Sequence, residues 1–229
     1  MVKKFDLYRA PPSLQEYVLF KRQSLSNIEV SHEFLTDPFF VKMPAKSVIV
    51  DVEATCCEEE SFPRHEMEII EIGAVAVGSV TGAVESEFQA FVRPVRNPVL
   101  TEFCRGLTGI TQGQVDAAED YPTVMKRFSE WLAGVGDYDF CSWGFYDKSQ
   151  FEQDSAFHGV AYPFAGPHRN LKLEFARATG ATKKLGVGGA LRRLGLEFEG
   201  SPHRGIDDAR NIARIYRELI RRLTRRANP

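Results

Sequence analysis

The apolar run SVIVDVEA, residues 47–54, carries two carboxylates at alternate positions, Asp51 and Glu53. In an extended strand, residues two apart leave on the same face, with side chains about 7 Å from each other. A strand this hydrophobic belongs inside a sheet, where an ionised acid must be paired, protonated or bound to a cation. The pattern therefore asks for a fold that buries the strand and gathers positive charge at its end. A frayed strand end with two solvated acids is the alternative.

Two more β-rich runs follow, EIIEIGAVAVG and AVESEFQAFVRP, the second with alternating faces. The turn from Ser79 to Gly82 joins them as a hairpin. Helical periodicity is read at about 99–107, 111–117 and 122–133, then a short strand in YDFCSWG and a helix from Tyr146 to His158. The segment DDARNIARIYRELIRRLTRR predicts one long amphipathic helix, with Ala209, Ile212, Ala213, Tyr216, Leu219, Ile220 and Leu223 on its buried stripe. Three antiparallel strands followed by alternating helices and strands predict an α/β fold, a mixed central sheet with helices on both faces. That domain is expected over residues 46–226. Residues 1–45 read as an aromatic-rich extension with a short helix over 12–22, its seven aromatics (Phe5, Tyr8, Tyr17, Phe20, Phe34, Phe39, Phe40) packed on the domain or on a protein partner.

Composition narrows the function classes. No apolar run approaches the roughly 18 residues that would span a bilayer, and MVKKFDLYRAPP has no apolar stretch behind its lysines, so the expectation is a cytoplasmic protein with no membrane partner. The four cysteines include no CxxC pair and read as reduced thiols rather than zinc ligands. The net charge of −2 conceals an asymmetry: residues 1–120 hold 11 Lys/Arg against 19 Asp/Glu, and residues 121–229 hold 18 against 12. A negative front half and a positive back half suit an acidic metal site beside a surface that meets a polyanion, although charge halves can also mean nothing.

Two more clusters join the first. Asp147 lies in CSWGFYDKSQF, where a buried strand gives way to a helix, the usual edge for site residues; the alternative is a helix N-terminal acid serving free amides. In HRGIDDAR, His203 precedes Asp208 by five residues across Gly205, which hangs the histidine on a loop and holds the aspartate on the long helix. Asp207 should point elsewhere and cap the helix or pair with an arginine. Four converging carboxylates would be balanced by two Mg²⁺ ions, since hard oxygen ligands suit Mg²⁺ or Mn²⁺ rather than zinc.

Taken together, DVEATC, WGFYDKSQF and HRGIDDARNIARI resemble the three motifs of the DEDDh 3′-5′ exonucleases, which have an RNase H-like fold. More narrowly, EIIEIGAV and LTEFCRGLTGITQGQV are similar to the branch containing the animal three-prime histone mRNA exonuclease and the bacterial sporulation inhibitor KapD. Over about residues 46–222 the resemblance implies metal-binding acids at Asp51, Glu53, Asp147 and Asp208 and a general base at His203. It implies a pocket for the terminal nucleotide made by Ala54, Thr55, Phe103, Leu107, Thr108 and Ile110, for which ordinary packing is the alternative. The implied activity is metal-dependent removal of nucleoside 5′-monophosphates from single-stranded RNA 3′ ends. A DNA exonuclease and a non-catalytic nucleic-acid-binding regulator are the alternatives.

Basic residues divide into two groups. Arg210, Arg214, Arg217, Arg221 and Arg225 form a stripe on the last helix that reads as a solvated face more readily than as a phosphate track. Lys148, Lys183, Lys184, Arg192, Arg193 and Arg204 lie nearer the motifs and are the better candidates for strand contacts.

Overall fold

The computed structural model describes residues 44–58 and 61–226, with side chains up to residue 222. The expected helix over 12–22 and the aromatic extension fall outside the described residues, as do the side chains of Leu223 and Arg225.

Strand β1 (Lys46–Ala54) pairs antiparallel with β2 (Ile69–Gly78), which pairs antiparallel with β3 (Val84–Phe91). The other edge is parallel: β4 (Tyr138–Ser142) beside β1, then β5 (His168–Asn170), giving the order β3-β2-β1-β4-β5. This is the mixed sheet expected from the strand pattern. The hairpin closes where Gly82 donates to the Gly78 carbonyl. Alternation on β3 holds from Ser86 onward, while Val84 is exposed.

Helices α1 (Glu102–Thr108), α2 (Gln112–Asp116) and α3 (Tyr121–Val135) start one to three residues from where periodicity placed them, because caps decide the starts. Thr101 accepts from the Cys104 amide, Thr111 forms a reciprocal capping box with Gln114, and Asp120 accepts from the Thr123 amide. Helix α4 (Tyr146–His158) follows β4 as expected. The helices α5 (Leu171–Thr179) and α6 (Val187–Leu194) and the strand β5 have no counterpart in the sequence reading. Three residues are too few for a strand period, and α6 is a glycine-containing helix whose cap Gly186 offers no side chain. The long helix α7 (Gly205–Arg226) begins two residues earlier than DDAR suggested.

The period of two along the sheet sorts the core into two layers. Val48, Val50 and Val52 face α3 and α4, packing with Tyr121, Val124, Phe128 and Phe151. Ile49 faces the opposite way with Val75 and Val77, against α5, α6 and the α7 stripe of Ala209, Ile212, Ala213, Tyr216, Leu219 and Ile220. Asp51 and Glu53 are in phase with Ile49, so they emerge on the α7 side. Tyr216, midway along α7, ties the helix to the turn after β2 by donating to the Ser79 carbonyl at 2.9 Å.

The near end of α7 is seated by two glycines. A Cβ on Gly73, which pairs with Asp51 across the ladder, would lie 2.1 Å from the Gly205 carbonyl carbon. A Cβ on Gly205 would lie 3.0 Å from the Asp51 carbonyl oxygen. Backbone therefore rests directly on backbone, and the first turn of α7 sits over the acidic end of β1.

Candidate metal centre

Carboxylate oxygens of Asp51, Glu53 and Asp208 all lie within 4.8 Å of one another, the spacing of a cation's ligand shell. Asp147, in the first turn of α4, falls outside that trio but is 4% exposed and accepts from the Val52 amide at 3.2 Å. It stands close enough that its charge is the first influence on Asp51 after burial. The four acids come from three separate elements, β1, α4 and α7.

Their electrostatics are those of an unbalanced cluster. Burial, then Asp147, Asp208 and Glu53, push the Asp51 carboxyl well above the usual range. Burial and then Asp208 raise Glu53 to about 8. Asp147 is held to about 6, because the Ser142 hydroxyl and the Val52 amide offset part of the burial effect. Burial also raises Asp208. Each carboxylate would gain by losing its proton to a shared cation, so the donor set fits divalent metal ions with a preference for hard oxygen ligands.

His203 lies on the loop before α7 with φ of 60°, a left-handed conformation uncommon outside glycine. What holds it there is Asp208, whose Oδ2 accepts from the His203 amide at 2.7 Å. The imidazole is exposed and lines, with Asp51, Glu53 and Asp208, a cavity of about 380 Å³ whose apolar walls are Val187, Phe198 and Pro202. Asp207 turns away as expected, accepting from the Ser201 amide and pairing with Arg210.

The sequence reading assigned no role to Glu71, and it has a large one. Fully buried on β2, it accepts from Arg204 Nε at 2.9 Å, from the Gly205 amide at 3.1 Å and from Gln89 at 2.7 Å. An acid in the middle of an otherwise apolar strand, EIIEIGAV, was the available signal. Glu71 thereby ties the His203 loop to the sheet. It also engages Arg204, whose guanidinium is held by a buried carboxylate 133 residues away.

The expected base pocket divides. Phe103 and Leu107 on α1 are 38% and 39% exposed, available to a ligand. Ala54 and Thr55 are buried, and the Thr55 hydroxyl accepts from the Glu68 amide. Thr108 donates to the Cys104 carbonyl, and Ile110 packs with Ile70, Leu100 and Val115 in a small core. For Thr55, Thr108 and Ile110 the side chains thus do packing work. A larger cavity, about 550 Å³, adjoins Tyr146, whose ring carries the Arg64 guanidinium at 5.1 Å.

Three arginines of the basic stripe are engaged: Arg210 pairs with Glu87, Arg214 with Glu199, and Arg221 with Glu218. Arg217 backs onto the hairpin turn at Gly82. Lys148 pairs with Glu152. No disulfide joins the four cysteines; Cys104 and Cys141 are buried and Cys56 and Cys57 half-buried. No helix among the described residues is long and apolar enough to cross a membrane.

Comparison with known proteins places this geometry. The exonuclease family model, RNase_T, matches residues 48–216. The 3′-5′ exoribonuclease 1 of Rattus norvegicus is 39% identical over 183 residues, covering 75% of this chain and 52% of the rat protein. The human 3′-5′ exoribonuclease 1 is 38% identical over 182 residues, with 75% and 51% covered. The chain thus spans about half the length of these relatives. Among solved structures, the nuclease domain of 3′hExo, a DEDDh family member bound to rAMP, is 34% identical with a TM-score of 0.72, covering 80% of this chain and 94% of that one. A structure of a 3′-exonuclease recognising the histone mRNA stem-loop is 32% identical with a TM-score of 0.72, covering 90% and 70%. With the family model running from β1 to the middle of α7, and the carboxylates meeting where the motifs of that family lead one to look, the chain belongs to the DEDDh exonucleases.

Proposed function

We propose that this chain is a metal-dependent 3′-5′ exoribonuclease that releases nucleoside 5′-monophosphates from single-stranded 3′ ends. The observation that carries the reading is the gathering of Asp51, Glu53 and Asp208 within 4.8 Å, with Asp147 beside them and His203 on the rim of the same cavity. Its relatives named as exoribonucleases, one of them seen with rAMP, support the RNA assignment.

Asp51, Glu53, Asp147 and Asp208 would hold two Mg²⁺ ions, with Mn²⁺ as a substitute, which supply charge neutralisation and Lewis acidity to a phosphodiester. His203 takes a proton from the attacking water, since a ring nitrogen can accept one and the loop holds the ring at the cavity mouth. Asp208 serves twice, as a metal ligand through its carboxylate and as the anchor of the His203 amide. Phe103 and Leu107 offer apolar surface to the terminal base. Ala54 ends β1 and Thr55 follows it, joined to α1 where the Cys104 thiol donates to the Ala54 carbonyl, with Thr108 and Ile110 shaping α1 and its turn. The domain boundary lies near residue 45, and the segment before it recruits a protein partner in the cytoplasm.

The test is a 5′-labelled single-stranded RNA and a DNA of equal sequence, incubated with Mg²⁺, Mn²⁺ or chelator. A stepwise ladder from the 3′ end of the RNA, abolished by chelator, is the expected result. A ladder on DNA alone makes the enzyme a DNA exonuclease, and an intact but bound strand makes it a regulator. Deleting residues 1–45 and repeating the assay separates a catalytic role for that segment from recruitment.

A further inference from the structure

A strand that delivers its last phosphodiester to the carboxylate cluster must bring the preceding phosphate to the cavity mouth. Two divalent ions held by the four acids would balance only the acids' own charge. The next phosphate needs a cation from the protein. Among the described residues, the cavity lining contains one Lys or Arg, Arg192 on α6.

Arg192 is exposed, which puts it at the rim rather than the floor. Among the described residues its guanidinium has no hydrogen bond and no ion pair, even though three carboxylates line the same cavity. Its neighbours are committed elsewhere: Arg193 donates to the Thr179 carbonyl, Arg204 to Glu71, and Arg214 pairs with Glu199. Gly188, one turn earlier on α6, also lines the cavity, and a Cβ there would lie 3.6 Å from Arg192 Nη1. The side chain therefore reclines toward the start of α6 over a residue with no side chain to cover it. A planar guanidinium with free donors at the mouth of an acidic cavity matches the two open oxygens of a phosphodiester.

We propose that Arg192 binds the phosphate immediately 5′ to the scissile linkage and so sets the register of the RNA strand. This rests on the exoribonuclease reading. The field of the acidic cluster repels a bare strand, and a cation at the rim lowers that barrier at the point of entry.

The experiment compares wild type, Arg192→Ala and Arg192→Lys on two substrates in Mg²⁺: a single-stranded oligoribonucleotide, and uridine 5′-(p-nitrophenyl phosphate), which has the scissile linkage but no second phosphate. On the oligonucleotide, Arg192→Ala is expected to raise KM about tenfold, the size of one charge-assisted hydrogen bond, with a smaller change in kcat. The log–log dependence of 1/KM on salt should flatten by about 0.7, the value for one phosphate on a single strand. Arg192→Lys should recover most of the salt slope and part of KM. The loss on the oligonucleotide should exceed the loss on the ester by about tenfold. A neutral methylphosphonate at the second linkage should weaken wild type as much as the alanine substitution does and leave Arg192→Ala little changed. Wild-type KM and salt slope in Arg192→Ala would overturn the proposal, as would equal losses on both substrates or a methylphosphonate cost undiminished in the variant. A wild type inert on both substrates would overturn the exoribonuclease reading, and this proposal with it.

Discussion

Replacing Gly73 with alanine should disable the site without touching any group that meets substrate or metal. The added Cβ would lie 2.1 Å from the Gly205 carbonyl carbon and from the Ile206 amide nitrogen, whereas ordinary contact begins at 3.4 Å. Relief requires the start of α7 to retreat by about 1.3 Å, because both partners are backbone and neither can rotate away. Overpacking of this kind costs about 1–3 kcal/mol of stability. The retreat carries His203 and Asp208 off Asp51 and Glu53, and a misplacement of about 1 Å in a catalytic group costs on the order of 10²-fold in rate. Gly205→Ala should do much less, since its Cβ would lie 3.0 Å from the Asp51 carbonyl oxygen and a few tenths of an ångström suffice. The assay is kcat on a 5′-labelled oligoribonucleotide beside Tm by calorimetry. A folded Gly73→Ala variant with kcat within about twofold of wild type would refute the argument that this backbone contact sets the distance between β1 and α7, as would a larger rate loss in Gly205→Ala.

Further outcomes follow from the carboxylate cluster and its loop. Because folding raises the carboxyls of Asp51, Glu53, Asp147 and Asp208, the folded state binds more protons than the unfolded one, so the stabilising effect of protonation is present at low pH and is lost as pH rises, with Asp147 titrating at about 6 and Glu53 at about 8. The metal-free Tm should therefore carry a component that falls across this window, and Mg²⁺ should raise Tm more at pH 8 than at pH 5; an equal Mg²⁺ effect at both would argue against binding to these acids. Asp51→Asn should abolish cleavage and raise the metal-free Tm by removing one of the repelling charges, and a variant with normal turnover would remove Asp51 from the metal site. His203→Asn keeps a residue tolerant of φ 60° while removing the base, so kcat should fall about 10²-fold with the Mg²⁺-dependent Tm rise retained; an unchanged pH–rate profile would show that the base lies elsewhere. Glu71→Ala removes the anchor of Arg204 and of the Gly205 amide and should cost about 3 kcal/mol in a urea titration, the lower end for breaking a buried pair because Arg204 can turn to water; a loss under about 1 kcal/mol would show the tie is not needed.

Much of this molecule is local and could be read from the chain. Strand phase placed Asp51 and Glu53 on one face, and the structure puts that face under α7. The spacing of His203 and Asp208 is short enough that the loop and helix between them were legible, down to the divergence of Asp207. The α7 stripe followed from a 3.6-residue period sustained over a long segment. Where the signal was weak, so was the reading: β5 spans three residues, and α6 mixes two glycines with two arginines.

The sequence by itself determined which carboxylates exist, which of them share a face, and which helix closes the sheet, because those are properties of neighbours a few residues apart. Tertiary structure alone decided which charges remain free. Glu71 consumes Arg204 across 133 positions, Glu87 takes Arg210 across 123, and among the described residues Arg192 is left without a partner in the same cavity as the acids. An ion pair depends on distance in space, and two side chains so far apart along the chain acquire that distance only when Gly73 and Gly205 let the start of α7 settle on the sheet.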